Sequence, residues 1–176
     1  DYLTVTSSSS CLVCVDENGE ALMSCMMVSD KRAREESSFI GSLDAFAEVK
    51  ARTGGNASPS FMLPKALWVK FHEKEIYHKT YKLLAPNDYL AAKFTGRYVT
   101  DYINAHKWYY DVQKKQYPSQ LLQEIGISEQ LLPEVVTPGT KIGTITESAA
   151  RHTGLSMETS VILSTYDAIC SFVGSG

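Results

Sequence analysis

The stretch Ser160-Val-Ile-Leu-Ser-Thr-Tyr-Asp-Ala-Ile-Cys-Ser-Phe-Val173 decides the fold class. Residues 160–164 form a short apolar run of strand type, and 167–173 read as the helix that follows it. Asp167 stands at the junction. A carboxylate at the C-terminal end of a buried strand, opening a helix, sits where open α/β sheets place their ligands. Helices also take ordinary capping aspartates at such junctions, so position alone leaves a general base and a plain N-cap both open.

Working outward, Lys141-Ile-Gly-Thr-Ile145 reads as a second strand, and 146–154 as a short helix with a threonine start and a glycine stop. The α/β section therefore covers 133–176. Residues 61–132 read as a helical section. Pro64 suits the first turn of a helix that turns Leu67, Trp68 and Phe71 toward a core. Pro86 or Asn87 opens a helix over 88–94 that Thr95-Gly96 closes, and Pro118 starts a third with Leu121, Leu122 and Ile125 that ends at Gly126. Residues 52–59, rich in glycine, serine and proline, are a loop. In the first section, 1–51, Leu3-Thr-Val-Thr6 alternates like a strand and four serines follow. Cys11–Val15 and Ala21–Met27 then read as a hairpin across Asp16-Glu-Asn-Gly-Glu20, because Asn-Gly tolerates positive φ. Asp30 is expected to cap one helix over 31–50 with Leu43, Phe46 and Val49 on its buried face.

The chain has 176 residues, 44% of them hydrophobic and 21% charged, which fits one globular domain and excludes collagen-like, disordered and disulfide-scaffold classes. The net charge is −3 and the 17 basic residues are scattered, against a nucleic-acid surface. No apolar run approaches the ~18 residues of a membrane span, and no signal-peptide pattern is visible. Cys11 and Cys14 form a CxxC, but side chains three apart on a strand point to opposite faces and no second CxxC completes a zinc site. Four reduced, mostly buried thiols suit a cytoplasmic protein, and the four histidines suggest no metal site. The first residue is Asp1, not methionine, and it lies within strand-like sequence. The chain therefore reads as a segment of a longer protein.

The second candidate site is Ser7–Ser10. Hydroxyls that follow a strand offer donors and acceptors suited to a polyhydroxylated ligand. No G-x-S-x-G elbow surrounds them and no glycine or lysine makes them a phosphate loop, so a polar turn is the competing reading.

Taken in order, the motifs resemble the N-terminal domain of the FGGY carbohydrate kinases, of the xylulokinase and gluconokinase type. Residues 5–19 are similar to the family's strand, sugar-contacting turn and hairpin, and Val28-Ser-Asp-Lys-Arg32 to W-x-D-x-R. Pro64-Lys-Ala-Leu-Trp68 resembles P-K-x-x-W, and residues 87–96 resemble the D-Y-L-x-x-x-L-T-G helix. Thr100-Asp-Tyr-Ile-Asn-Ala105 resembles T-D-Y-S-x-A, with Asp111-Val112 following. Leu131–Val135, Thr153–Leu155 and 167–176 complete the series. The resemblance implies a ribonuclease-H-like α/β fold of actin and sugar-kinase type, with the helical section over the sugar site. It implies ATP-dependent phosphorylation of a sugar, polyol or sugar acid, with Mg²⁺, and Asp167 as the base that accepts the attacking hydroxyl's proton. Ser8, Ser9, Ser10, Asp30 and Asn104 are the substrate-contact candidates. Asp30 and Arg32 also suit capping and loop bracing, and Asn104 a solvated loop.

The departures are specific. The turn that often reads G-Q-M-H-G is Ser7-Ser-Ser-Ser-Cys11, the tryptophan of W-x-D-x-R is Val28, and Ser164, Thr165 and Tyr166 replace glycines before the aspartate. They motivate the alternative of a non-catalytic sugar-binding or regulatory relative. The family's phosphate-binding D-x-G-T-T hairpin has no counterpart here, nor has its nucleotide-clamping second domain. These residues alone are therefore expected to be inactive, to bind no cofactor tightly, and to self-associate through an uncovered sheet edge.

Overall fold

The computed structural model describes all of residues 1–176. In chain order the elements are β1 (Tyr2–Leu3), β2 (Val13–Val15), α1 (Arg34–Ser42), α2 (Asp44–Thr53), α3 (Met62–His72), α4 (Lys74–Lys79), β3 (Lys82–Leu84) and α5 (Pro86–Thr95). There follow β4 (Val99–Asp101), α6 (Tyr102–Ala105), a 3-10 turn His106–Trp108, α7 (Ser119–Ile125) and a 3-10 turn Glu129–Leu131. Last come β5 (Glu134–Val136), β6 (Lys141–Thr144), α8 (Glu147–Thr153), β7 (Ser160–Ile162) and α9 (Asp167–Gly174).

The apolar run at 160–164 becomes the middle strand of a three-stranded sheet, with β1 parallel on one side and β6 antiparallel on the other. Parallel pairing sends β1 and β7 out of the same sheet edge. The chain leaving β1 toward the serines and the chain leaving β7 toward Asp167 therefore emerge side by side. The Thr6 hydroxyl donates to the Thr165 carbonyl at 2.7 Å, stitching the two exits together.

Two other strand pairs tie the sections to each other. β2 pairs antiparallel with β3, and β4 pairs parallel with β5. The larger apolar core has 23 buried residues and runs from Leu12 through Ile40, Leu67 and Trp108 to Leu132, so the first section and the helices share one interior. A separate cluster of seven, including Ala91, Val99, Ile142, Val161 and Leu163, holds the β6–α8–β7 part. Truncating a fully buried residue of the larger core such as Leu67 to alanine costs about 2–5 kcal/mol.

Glycines end the helices where expected: Gly96, Gly126 and Gly154 take the left-handed conformation after α5, α7 and α8. Four expectations are corrected. The single helix over 31–50 is two, α1 and α2, separated by Leu43 in extended conformation after Gly41-Ser42, a pair of poor helix formers. Asp30 caps neither. The N-cap of α1 is Ala33, and the Asp30 carboxylate instead accepts from the backbone N–H and Nε of Arg32 within a tighter turn. Ala21–Met27 is not a regular strand. The Asp16–Glu20 turn forms, with Gly19 at φ +73°, but only Val15–Ala21 and Leu12–Met26 bridge, and β2 makes its regular ladder with β3 on its other edge. Phe71, expected in the core, is 47% exposed.

All four cysteines are free thiols. Burial pushes Cys14 up to about 12 and Cys25 up to about 11, so both stay protonated. No helix is long and apolar enough to cross a membrane.

Candidate functional site

The site is assembled at the shared exit of β1 and β7. Asp167 is the first residue of α9, and its backbone N–H donates to the Ser7 carbonyl at 2.9 Å. The N-cap itself is Tyr166, which offers no side-chain bond, and Asp167 Oδ1 accepts from the N–H of Ala168 at 2.7 Å. The residue is exposed to solvent, and its backbone is tied to the serine bend. It does not line the largest groove, an apolar cleft of roughly 690 Å³ between the chain around Tyr2 and the side of α9 that carries Ile169 and Val173.

The bend is held from behind. Ser7 Oγ donates to Asn87 Oδ1 and accepts from the Asn87 N–H, both at 3.1 Å. Ser8 and Ser9 are half-buried, and the Ser8 hydroxyl makes no bond within the chain, which leaves it free for a ligand. Ser9 and Ser10 hydroxyls lie 3.2 Å apart. Ser10 is buried and takes φ +61°, a left-handed conformation unusual for a residue with a Cβ. It is fixed by Lys65 of α3, whose Nζ donates to the carbonyls of Ser10 and Met27, each at 2.7 Å. The Met27 carbonyl also accepts the N–H of Asp30, so one ammonium joins the serine bend to the turn that carries Asp30. Burial lowers the Lys65 pKa, opposed by the nearby Cys11 and Asp30.

Asn104, expected at the ligand, is fully buried instead. Its Nδ2 donates to Asp101 Oδ2 at 2.8 Å and reaches Asn87 Oδ1 at 3.5 Å. It braces the bend from one layer below, and its own Oδ1 has no hydrogen-bond partner. Asp101 caps α6 by accepting from the N–H groups of Ile103 and Asn104. Burial raises its pKa, while those N–H bonds oppose the rise. Asp88, completely enclosed beside it, is pushed well above the usual carboxylate range by burial.

Thus Asp167, Ser7–Ser10 and the Asp30 turn converge on one region, with Asn104 beneath. Sequence reasoning missed Lys65 and Asn87, which set the bend's shape. Their signal was present: a lysine inside the otherwise apolar run Met62–Leu67, and a polar residue at the opening of α5. No three His, Cys, Asp or Glu side chains come together as a preformed metal cage; a magnesium ion would here depend on one or two carboxylates, such as Asp167, together with a nucleotide's phosphates. No glycine cradle precedes α9, where Ser164, Thr165 and Tyr166 lead in.

Comparison with known proteins shows the family and the fold. The model of the FGGY family of carbohydrate kinases, N-terminal domain, matches residues 2–174. A xylulose kinase of Bacillus subtilis (strain 168) is 29% identical over 167 residues, covering 94% of this chain and 33% of its own length. An autoinducer-2 kinase of Klebsiella pneumoniae is 32% identical over 169 residues, covering 94% and 31%. The crystal structure of xylulose kinase from Rhodospirillum rubrum superposes with a TM-score of 0.90 at 24% identity, covering 98% of this chain and 36% of that one. The chain spans about a third of the length of the curated relatives it matches. Its fold is the actin and ribonuclease-H-like fold of the sugar kinases.

Proposed function

The chain belongs to the FGGY family of carbohydrate kinases, and on that premise we propose that it forms the sugar-side part of an ATP-dependent enzyme that phosphorylates a hydroxyl of a sugar, polyol or sugar acid. Asp167 is the general base. It accepts the proton of the attacking hydroxyl while the serine bend, Ser8 foremost, holds the neighbouring hydroxyls. The observation that supports this most directly is the bond from the Asp167 N–H to the Ser7 carbonyl, which ties the exposed residue Asp167 to a hydroxyl-rich turn at the C-terminal ends of parallel strands. The phosphoryl donor is assigned to parts of the enzyme other than these residues, so this chain alone is expected to turn over no ATP.

The test is ADP production by the complete enzyme over a panel of sugars, polyols and sugar acids, with Asp167→Asn alongside. A base contributes roughly 10²–10⁴-fold to rate. The variant should lose turnover on that scale while its sugar affinity stays within a few-fold. Sugar binding without turnover in either protein would replace this reading with a non-catalytic sugar-binding relative.

A further inference from the structure

Lys107 is a cation without a polar partner within the chain, beside the ring of the residue that precedes the proposed base. It sits in the 3-10 turn His106–Trp108, directly after the T-D-Y-I-N-A segment that carries Asp101 and Asn104. Its Nζ lies 4.8 Å from the centroid of Phe61 and 5.6 Å from that of Tyr166, the residue preceding Asp167. No carboxylate of the chain forms an ion pair with it, and no oxygen accepts a hydrogen bond from it. The contrast with Lys65 is informative: that ammonium is more enclosed, yet two carbonyls satisfy it. Lys107 is half-buried, and burial lowers its pKa. Two aromatic faces stabilise the charge in part, but they accept none of its three N–H bonds.

An unspent ammonium in a half-dry position costs free energy unless something arrives to use it. We propose that Lys107 binds an anionic group, carboxylate or phosphate, on the polyhydroxylated substrate, and so selects acidic sugar derivatives over neutral ones. This deepens the reading of Asp167 and the serine bend as a sugar site and rests on it. The electrostatics agree. A substrate anion near the Asp167 carboxylate would be repelled by it, and Lys107, against the ring of the adjacent Tyr166, would supply a compensating charge. The serine hydroxyls can donate to such an anion as readily as they accept from sugar hydroxyls.

The experiment measures binding by calorimetry and kcat/KM by ADP release in the complete enzyme. The probes are D-gluconate, D-glucitol 6-phosphate and neutral D-glucitol, tested with wild type, Lys107→Met and Lys107→Arg. Methionine keeps the apolar stem between the rings and removes the charge. Wild type should prefer one of the two anions to glucitol. Lys107→Met should lose roughly tenfold to a hundredfold on that anion and little on glucitol, and Lys107→Arg should restore most of it. Whichever anion responds identifies the group. Equal losses on anionic and neutral probes, or a wild type that prefers glucitol, overturn the assignment and leave the kinase reading standing. Lys107-dependent binding of an anion without turnover of any probe supports the assignment while refuting the kinase reading.

Discussion

The hydroxyl of Ser7 is bonded twice to Asn87, once as donor and once as acceptor, each at 3.1 Å, while the carbonyl of the same serine holds the N–H of Asp167. One residue thus fastens the opening of α5 to the opening of α9. The proposed base inherits its position from the helical section through a side chain that itself touches no reacting atom.

Ser7→Ala should therefore act on turnover. It removes both side-chain bonds and leaves Asn87 Oδ1 with only the 3.5 Å contact to Asn104. A stability loss of about 1 kcal/mol is expected from denaturant titration. In the complete enzyme, kcat should fall several-fold with little change in sugar KM, and Ser7→Thr should recover it. A KM effect with kcat intact would show that Ser7 contacts the sugar itself.

Lys65→Met should act on the bend. The carbonyls of Ser10 and Met27 lose a charged donor, and Ser10 keeps its left-handed conformation with less support. A destabilisation of about 1–3 kcal/mol is expected, together with a rise in sugar KM larger than the fall in kcat. Unchanged sugar affinity would mean that the bend keeps its shape without the ammonium.

Stability should depend on pH through Asp88. Full burial pushes its carboxyl well above the usual range, and the neighbouring Asp101 adds to the rise. The folded chain therefore keeps a proton that the unfolded chain releases above about 3.9. The contribution is complete below that value and is lost as pH climbs through the raised folded pKa. Asp88→Asn is neutral at every pH and can still accept the Ala85 N–H that Asp88 Oδ2 accepts at 3.3 Å. Its denaturation midpoint should exceed that of wild type at pH 8, and the two should converge toward pH 4. A variant less stable at pH 8 would mean that the charged carboxylate is the form the fold holds.

Much of the architecture was legible because it rests on local chemistry. The run 160–164, the glycines at 96, 126 and 154, and the Asp16–Glu20 turn each carry their conformation in their own residues. The missed elements are non-local. β3, β4 and β5 have three residues each, too few for a period to show, and exist because a distant strand pairs with them. The helix over 31–50 read as continuous because Leu43 fits an apolar stripe, whereas its backbone turns outward to start α2. At the site, Asp167 and the serines announced themselves by chain position and residue type. Lys65 and Asn87 stood out only as polar residues at otherwise apolar or helix-opening positions and Lys107 not at all, because their roles depend on which carbonyls, amides and rings the fold carries to them.

That the seven-residue cluster around β7 is separate from the large helical core has a dynamic consequence. Amide protons in α3 should exchange only on global opening, whereas those of α8 and β7 can exchange through a smaller local event. The strand that delivers the proposed base thus belongs to the less strongly anchored half. A guest that spans the serines and α9 would clamp the two halves together, so its arrival should register as slowed deuterium uptake along β7.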